Sequence, residues 1–199
     1  MPNEESSVKE RKMLLRQEAA QLRSSLPQAE AARRSRKIMA RVLALPEVQR
    51  ARVVSVYCSF GSEVGTHDLI EALAKAGKRV CLPVVDASLT AMTMYEFRSF
   101  SELKVCPFGF PEPVPATHQK VEPAEIDVIL APGLAFDEEM HRLGFGMAYY
   151  DRYIAGMPKH VPIISLAYEV QIFPQVPVTP KDVPVDKIVT EERVITCSR

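Results

Sequence analysis

RVVSVYCSFGSEVGTHDLIEALAKAGKRVCLPVV, residues 52–85, is the stretch whose reading decides the fold. Arg52-Val-Val-Ser-Val-Tyr57 is a short β-branched run, the pattern of a strand buried on both faces. A loop follows from Cys58 to Gly65. Thr66 stands where a helix N-cap belongs, His67–Ala76 carries apolar residues at helical spacing, and Gly77 fits the C′ position. Arg79–Val85 is a second strand of the same kind. Strand, helix and strand in so short a space make a βαβ unit, with parallel strands and a right-handed crossover.

Working outward toward residue 1, positions 8–24 hold no Pro or Gly and are rich in strong helix formers. Leu14, Leu15 and Leu22 give a thin apolar stripe, as on a surface helix. A second helix is expected with Pro27 in its first turn, Ser24 or Ser25 as cap, and Ile38, Met39, Val42, Leu43 and Leu45 facing the core; Pro46 ends it. Residues 1–8 are expected to be flexible. In the other direction, Thr90–Phe97 alternates like an edge strand. Residues 107–123 hold five prolines and read as a long loop. Strands are expected at Asp127–Ala131, Val161–Tyr168, Ile188–Thr190 and Arg193–Thr196, and a helix from about Met147 to Gly156. The sum is a single α/β domain over 1–199: a three-layer α/β/α sandwich with a largely parallel sheet and N-terminal helices.

Composition narrows the function. The chain has 199 residues, with 25 Lys+Arg against 25 Asp+Glu. Zero net charge argues against a nucleic-acid binder, which needs a positive excess. Yet 12 of the basic residues and only 6 of the acidic ones lie in residues 1–52, so the opening helices are locally cationic. No apolar run reaches the length of a membrane span, and no signal-peptide core is visible. Cys58, Cys81, Cys106 and Cys197 are scattered thiols, as in a cytoplasmic protein. The four histidines show no metal-ligand spacing.

Chemistry concentrates in Leu130-Ala-Pro-Gly-Leu-Ala-Phe-Asp137 and, after four residues, Arg142-Leu-Gly-Phe-Gly-Met-Ala-Tyr-Tyr-Asp-Arg152. A strand ends, a loop crosses its carboxyl end, and a helix starts just beyond Gly144-Phe-Gly146. Free N–H groups at a helix start, glycines that admit an anion, and Arg142 as a forked donor compose a phosphate cradle. Asp151 could share a divalent ion with those phosphates. No P-loop is present, and Tyr149 stands where a dinucleotide fingerprint needs a small residue. Gly-x-Gly alone fits equally a turn capping a helix, with Tyr149 and Tyr150 as core aromatics.

The longer string resembles the 5-formyltetrahydrofolate cyclo-ligase (5,10-methenyltetrahydrofolate synthetase) family. Further matches come in order: Lys12-Met-Leu-Leu-Arg16, Ser59-Phe-Gly-Ser-Glu63-Val-Gly-Thr66, Gly77-Lys-Arg-Val-Cys-Leu-Pro83, Glu112-Pro113 and Val185-Asp186-Lys187. The resemblance implies an enzyme that uses ATP and Mg²⁺ to close 5-formyltetrahydrofolate to 5,10-methenyltetrahydrofolate. By that likeness Lys12 and Arg16 touch the nucleotide phosphates. Arg142 and the loop Leu143, Gly144, Phe145, Gly146, Met147, Ala148, Tyr149 and Tyr150 bind ATP, with Arg142 and Tyr150 as catalytic side chains. Asp151, helped by Asp186, holds Mg²⁺. Glu63 pairs with the pterin N–H groups, and Tyr57, Phe108 and Tyr149 wall the pterin. The expected partners are folate and ATP only, in a monomer or weak homodimer. The family has glycine at or beside positions 147 and 148. An alanine forced to positive φ there costs about 1–2 kcal/mol, and one already in the helix costs nothing. Two other readings compete: an ATP-independent sugar-phosphate or acyl-CoA enzyme on a similar scaffold, and an inactive or altered homologue serving as a binding protein.

Overall fold

The computed structural model describes residues 4–86, 91–106 and 109–197. Helix α1 spans Glu4–Ser24, α2 Gln28–Ala44 and α3 Pro46–Arg50; strand β1 is Val53–Val56, α4 His67–Lys75 and β2 Arg79–Val85. Then come β3 (Met92–Glu96), β4 (Lys104–Val105), β5 (Pro111–Glu112), β6 (Lys120–Val121), β7 (Val128–Ala131), β8 (Ala135–Phe136) and β9 (Arg142–Leu143). Helix α5 (Tyr149–Ala155), β10 (Ile163–Leu166), β11 (Lys187–Val189) and β12 (Val194–Thr196) complete the order.

Eight strands form one sheet in the order β12-β11-β10-β7-β1-β2-β3-β6. The five from β11 to β2 are mutually parallel, and β12 and β3 run antiparallel to their neighbours. This is the largely parallel sheet expected. Val54 sits opposite both Val80 and Val128, and all four residues of β1 are buried. That explains the run of valines: a central strand covered on both faces has no solvent side, and its one polar residue, Ser55, is buried with its hydroxyl on Met94 Sδ. On one face Ile38 and Val42 of α2 and Leu69 and Leu73 of α4 pack over Val54, Leu82 and Leu130. On the other, Tyr150 of α5 packs with Ile129, Ile163 and Met94. Each fully buried aliphatic side chain contributes about 1.5–3 kcal/mol. Helix α1 lies apart, with Ala19 packed on Leu134 and Leu143 of the β8–β9 hairpin.

Several local expectations are corrected. The first helix already runs from Glu4, so residues 4–8 are not a loose tail. Ser24 and Ser25 do not cap α2; their hydroxyls donate back to Gln21 and Leu22, and Pro27 itself is the N-cap, without a side-chain bond. Pro46 ends one helix and also starts the next, α3, where its missing N–H is harmless. Thr66 does precede α4, but its hydroxyl donates to the Tyr57 carbonyl at 2.7 Å, tying helix start to strand end. β3 is not the edge, because β6 pairs outside it. The proline-rich stretch holds β5 and β6. Chain extended by proline still pairs where its own N–H groups are not required.

From β1 the chain moves to one side, through α4 to β2. From β7 it moves to the other, through β10 to β11. The carboxyl ends of β1 and β7 therefore flank a topological switch point, where open α/β sheets leave a crevice.

Candidate active site

A cavity of about 330 Å³ opens at that switch point. Tyr57 and Glu63 border it from beyond β1, Pro132 from beyond β7, and Arg142, Tyr150 and Asp151 from the segment that follows. Phe60, Phe145 and Met147, each 39–50% exposed, stand at its rim.

The wall beyond β7 is built by its own sequence. A Cβ on Gly133 would lie 2.4 Å from Cζ of Phe136, so only glycine lets that ring fold back over the turn. Gln171 donates from Nε2 to the carbonyls of Gly133 and Leu134 and holds the turn from below. Asp137 is wholly buried. Its Oδ1 accepts the N–H groups of Glu139 and His141, and its Oδ2 accepts Val176 N–H at 2.8 Å. The Pro-Gly-Leu-Ala-Phe-Asp string thus shapes the hairpin, and Asp137 has no oxygen left for a ligand.

Arg142, at the end of that hairpin, is 5% exposed. It donates through one terminal nitrogen to Asp151 Oδ1 at 2.9 Å and through the other to the Pro132 carbonyl at 3.2 Å. Val183 N–H also donates to Asp151 Oδ1. Arg142 Nε and the Tyr150 hydroxyl are buried and make no hydrogen bond among the described residues. Burial pushes the Tyr150 phenol up, so it stays a neutral O–H. Buried polar groups are rarely left unpaired in structure-only positions; two unsatisfied donors on one cavity wall mark a place for an acceptor.

The glycine turn follows. Gly146 has φ +110° and Ala148 φ +52°, whereas Met147 is not in the left-handed region. The expected strain therefore falls on Ala148 alone. It is the N-cap of α5, makes no side-chain cap bond, and lines the cavity together with Tyr149 and Tyr150. Helix α1 braces this turn. Arg16 Nε donates to the Gly144 carbonyl at 2.9 Å, and the Arg23 guanidinium lies 5.7 Å over the Phe145 ring. Lys12 bonds Asp182 at 2.5 Å. Arg16 is thus brought to the turn as expected, while Lys12 is engaged on the segment that leads to Val183.

Glu63 is 8% exposed. Its Oε2 accepts Phe60 N–H at 3.1 Å. Burial dominates its titration and lifts the carboxyl to about 7, against the pull of that N–H and of Arg23. Arg23, buried as well, donates to Ser62 Oγ at 3.0 Å. Tyr57 spends its hydroxyl on the Val64 carbonyl and offers the cavity its ring. A neutralisable carboxyl beside aromatic walls suits a flat heterocycle rich in N–H groups.

Asp186 is a correction. Its Oδ2 accepts Ile163 N–H at 2.8 Å, at the start of β10, on the amino edge of the sheet. Asp151 lies by Pro132 at the carboxyl edge, so the two do not form a metal pair. Among the described residues no cluster of three His, Cys, Asp or Glu could hold a metal ion. Phe108 lies outside the described residues. Phe110 lines the cavity instead, its ring 5.3 Å from that of Phe60. Phe60, Phe110 and Arg23 escaped the sequence reading. Only Arg23 left a usable signal: it follows Lys12 by eleven residues and Arg16 by seven, spacings that keep all three on one face of α1.

Residues 8–191 match the 5-formyltetrahydrofolate cyclo-ligase family. The chain is 33% identical over 156 residues to the 5-formyltetrahydrofolate cyclo-ligase of Escherichia coli (strain K12), covering 77% of this chain and 86% of that one. It is 29% identical to the Mus musculus 5-formyltetrahydrofolate cyclo-ligase over 94% of this chain and 96% of the other. A solved structure of Aquifex aeolicus 5,10-methenyltetrahydrofolate synthetase superposes with a TM-score of 0.83 at 34% identity, over 94% of this chain and 93% of that one.

Proposed function

The chain belongs to the 5-formyltetrahydrofolate cyclo-ligase family, and on that premise we propose how its cavity closes 5-formyltetrahydrofolate to 5,10-methenyltetrahydrofolate. The pterin lies against Glu63 between aromatic walls, and the terminal phosphates of ATP lie on the turn from Arg142 to Asp151. The observation that carries this reading is the pair of buried, unpartnered donors, Arg142 Nε and the Tyr150 hydroxyl, on the wall that adjoins Glu63.

ATP supplies the phosphoryl group that makes the formyl oxygen a leaving group, so that N10 of the folate can attack the formyl carbon. No side chain need act as a nucleophile; the protein positions the two substrates and meets developing charge with donors already in place. Arg142 presents its guanidinium to the phosphoryl oxygens from a site held by the Pro132 carbonyl, where Coulomb interactions are strong. Tyr150, neutral at working pH, donates its O–H. Arg16 holds the turn by the Gly144 carbonyl and so keeps its N–H groups fixed. Glu63, ionised on binding, accepts two N–H groups of the pterin, and those bonds draw its proton affinity down.

The fit to magnesium is that of one carboxylate. Asp151 takes both its protein bonds on Oδ1, and Oδ2 is the ligand it would give to an ion arriving with the nucleotide. Magnesium in phosphate sites is commonly held by one or two carboxylates plus phosphate oxygens, so Asp186 is not required.

The test is growth of the methenyl chromophore from 5-formyltetrahydrofolate. It is expected only when ATP and Mg²⁺ are both present. Chromophore formed without ATP would overturn the assignment of the turn to nucleotide, and none with both present would leave a binding protein.

A further inference from the structure

One buried cation reaches both halves of the site. Arg23 stands in the last turn of α1 and is 7% exposed. Its Nε donates to Ser62 Oγ at 3.0 Å, next to Glu63, and its guanidinium lies 5.7 Å over the Phe145 ring on the glycine turn. A second pair of contacts joins the same two places. The Phe60 ring lies 6.3 Å from that of Phe145, and Phe60 N–H donates to Glu63 Oε2 at 3.1 Å. Residues 60–63 and the turn are thus tied in a closed circuit of contacts, with Arg23 as its charged member. The other groups that face Glu63 carry no charge of their own to it. Burial keeps Tyr57, Cys58 and Tyr150 protonated. Tyr168 gives its hydroxyl to the Glu63 carbonyl, and Arg142 and Asp151, on the adjoining wall, pair with each other. Arg23 is the cation that draws the Glu63 carboxyl toward its ionised form.

We propose that Arg23 is a positioning residue that couples the two substrates, so that folate and nucleotide each bind more tightly when the other is present. This rests on the proposed function, which seats the pterin on Glu63 and the nucleotide phosphates on the turn. Phosphates that fix the turn also fix Phe145 under the guanidinium. Arg23, held there, keeps its charge beside Glu63 and stabilises the carboxylate that receives the pterin. A cation over a ring is held more strongly where water is excluded, and two bound substrates exclude it. By linkage, folate tightens nucleotide binding by the same factor.

Calorimetry on the full chain tests this. The dissociation constant of 5-formyltetrahydrofolate is measured with and without Mg²⁺ and adenylyl imidodiphosphate, a non-hydrolysable ATP analogue. In the parent protein the analogue is expected to tighten folate binding about tenfold, and in Arg23→Met only about twofold. Phe145→Leu replaces a ring that is 47% exposed, so its folding does not depend on the contact. It is expected to lower the factor to the same level, and the double variant no further, because both residues serve one path. A purely structural role for Arg23 would weaken both ligands and leave the factor unchanged. With folate alone, binding weakens as falling pH protonates Glu63, and in Arg23→Met the midpoint of that loss should rise by about one pH unit. An unchanged factor in either single variant, additive losses in the double variant, or an unmoved midpoint would overturn the coupling. A parent protein that binds each ligand equally well alone and together would overturn the coupling and leave the proposed function standing. A parent protein that binds folate and no nucleotide would overturn both.

Discussion

The two edges of the sheet use carboxylates in opposite ways. At the amino edge, Asp127 accepts the N–H groups of Arg52 and Val53, and Asp186 accepts that of Ile163. These side chains join the start of one strand to the start of its neighbour. At the carboxyl edge, Glu63 is buried with one backbone partner, Asp151 is held by Arg142, and two donors on the same wall have no partner among the described residues. Satisfied polar groups stabilise a fold, and unsatisfied ones wait for a ligand. The same residue types therefore carry structure on one side and chemistry on the other.

The widest separation between the edges should come from Arg142→Ala. Ring closure is expected to fall about 10²–10³-fold, the scale of losing a preorganised charge donor. Asp186→Asn is expected to leave kcat unchanged and to lower stability by about 1 kcal/mol in urea unfolding. Equal losses of kcat in both variants would erase the distinction.

Glu63→Gln comes next. The Glu63 carboxyl stands at about 7 in the folded protein, above its ordinary 4.5. A raised carboxyl pKa means that the folded state holds its proton longer than the unfolded chain, so stability falls as pH rises from 4.5 to 7 and stays lower above that. The loss amounts to about 3 kcal/mol. Removing the charge should abolish this slope and make the variant more stable than the parent at pH 8, while KM for the folate rises. Urea midpoints measured across that pH range check the first expectation; a slope that persists in Glu63→Gln would assign it to another group.

The smallest effect concerns Ala148. Its left-handed backbone costs a non-glycine residue about 1 kcal/mol. Ala148→Gly should raise stability by roughly that much, less the entropy glycine adds to the unfolded chain, and Met147→Gly should not. A thermal midpoint that rises equally in both variants would refute the assignment of the strain to one residue.

Most of the architecture was legible because it follows from periodicity. The β-branched run before Tyr57, the helix after Thr66 and the strand ending at Ala131 each announce themselves locally. The glycine turn was legible too, through an ordered string of motifs that resembles a family. What escaped depends on distant partners. Nothing near Asp186 tells that its carboxylate will meet Ile163 and not an ion. Nothing near Lys12 names Asp182. Phe60 and Phe110 meet only after the proline-rich segment folds back, and the two-residue strands within that segment are too short to show a period. Pro46 was legible as the stop of one helix but not as the start of the next, because the same fixed φ and missing N–H suit both places.

The brace that α1 lays across the glycine turn joins residues far apart in the chain: Arg16 and Gly144 are 128 positions from each other. Contacts of such separation are entropically the costliest to close and among the slowest to form. The sheet can thus be complete while the turn is still unlatched, and fraying of that opening helix would silence the protein without melting it. Hydrogen exchange should find α1 among the quickest segments to open, far ahead of β1 and β7.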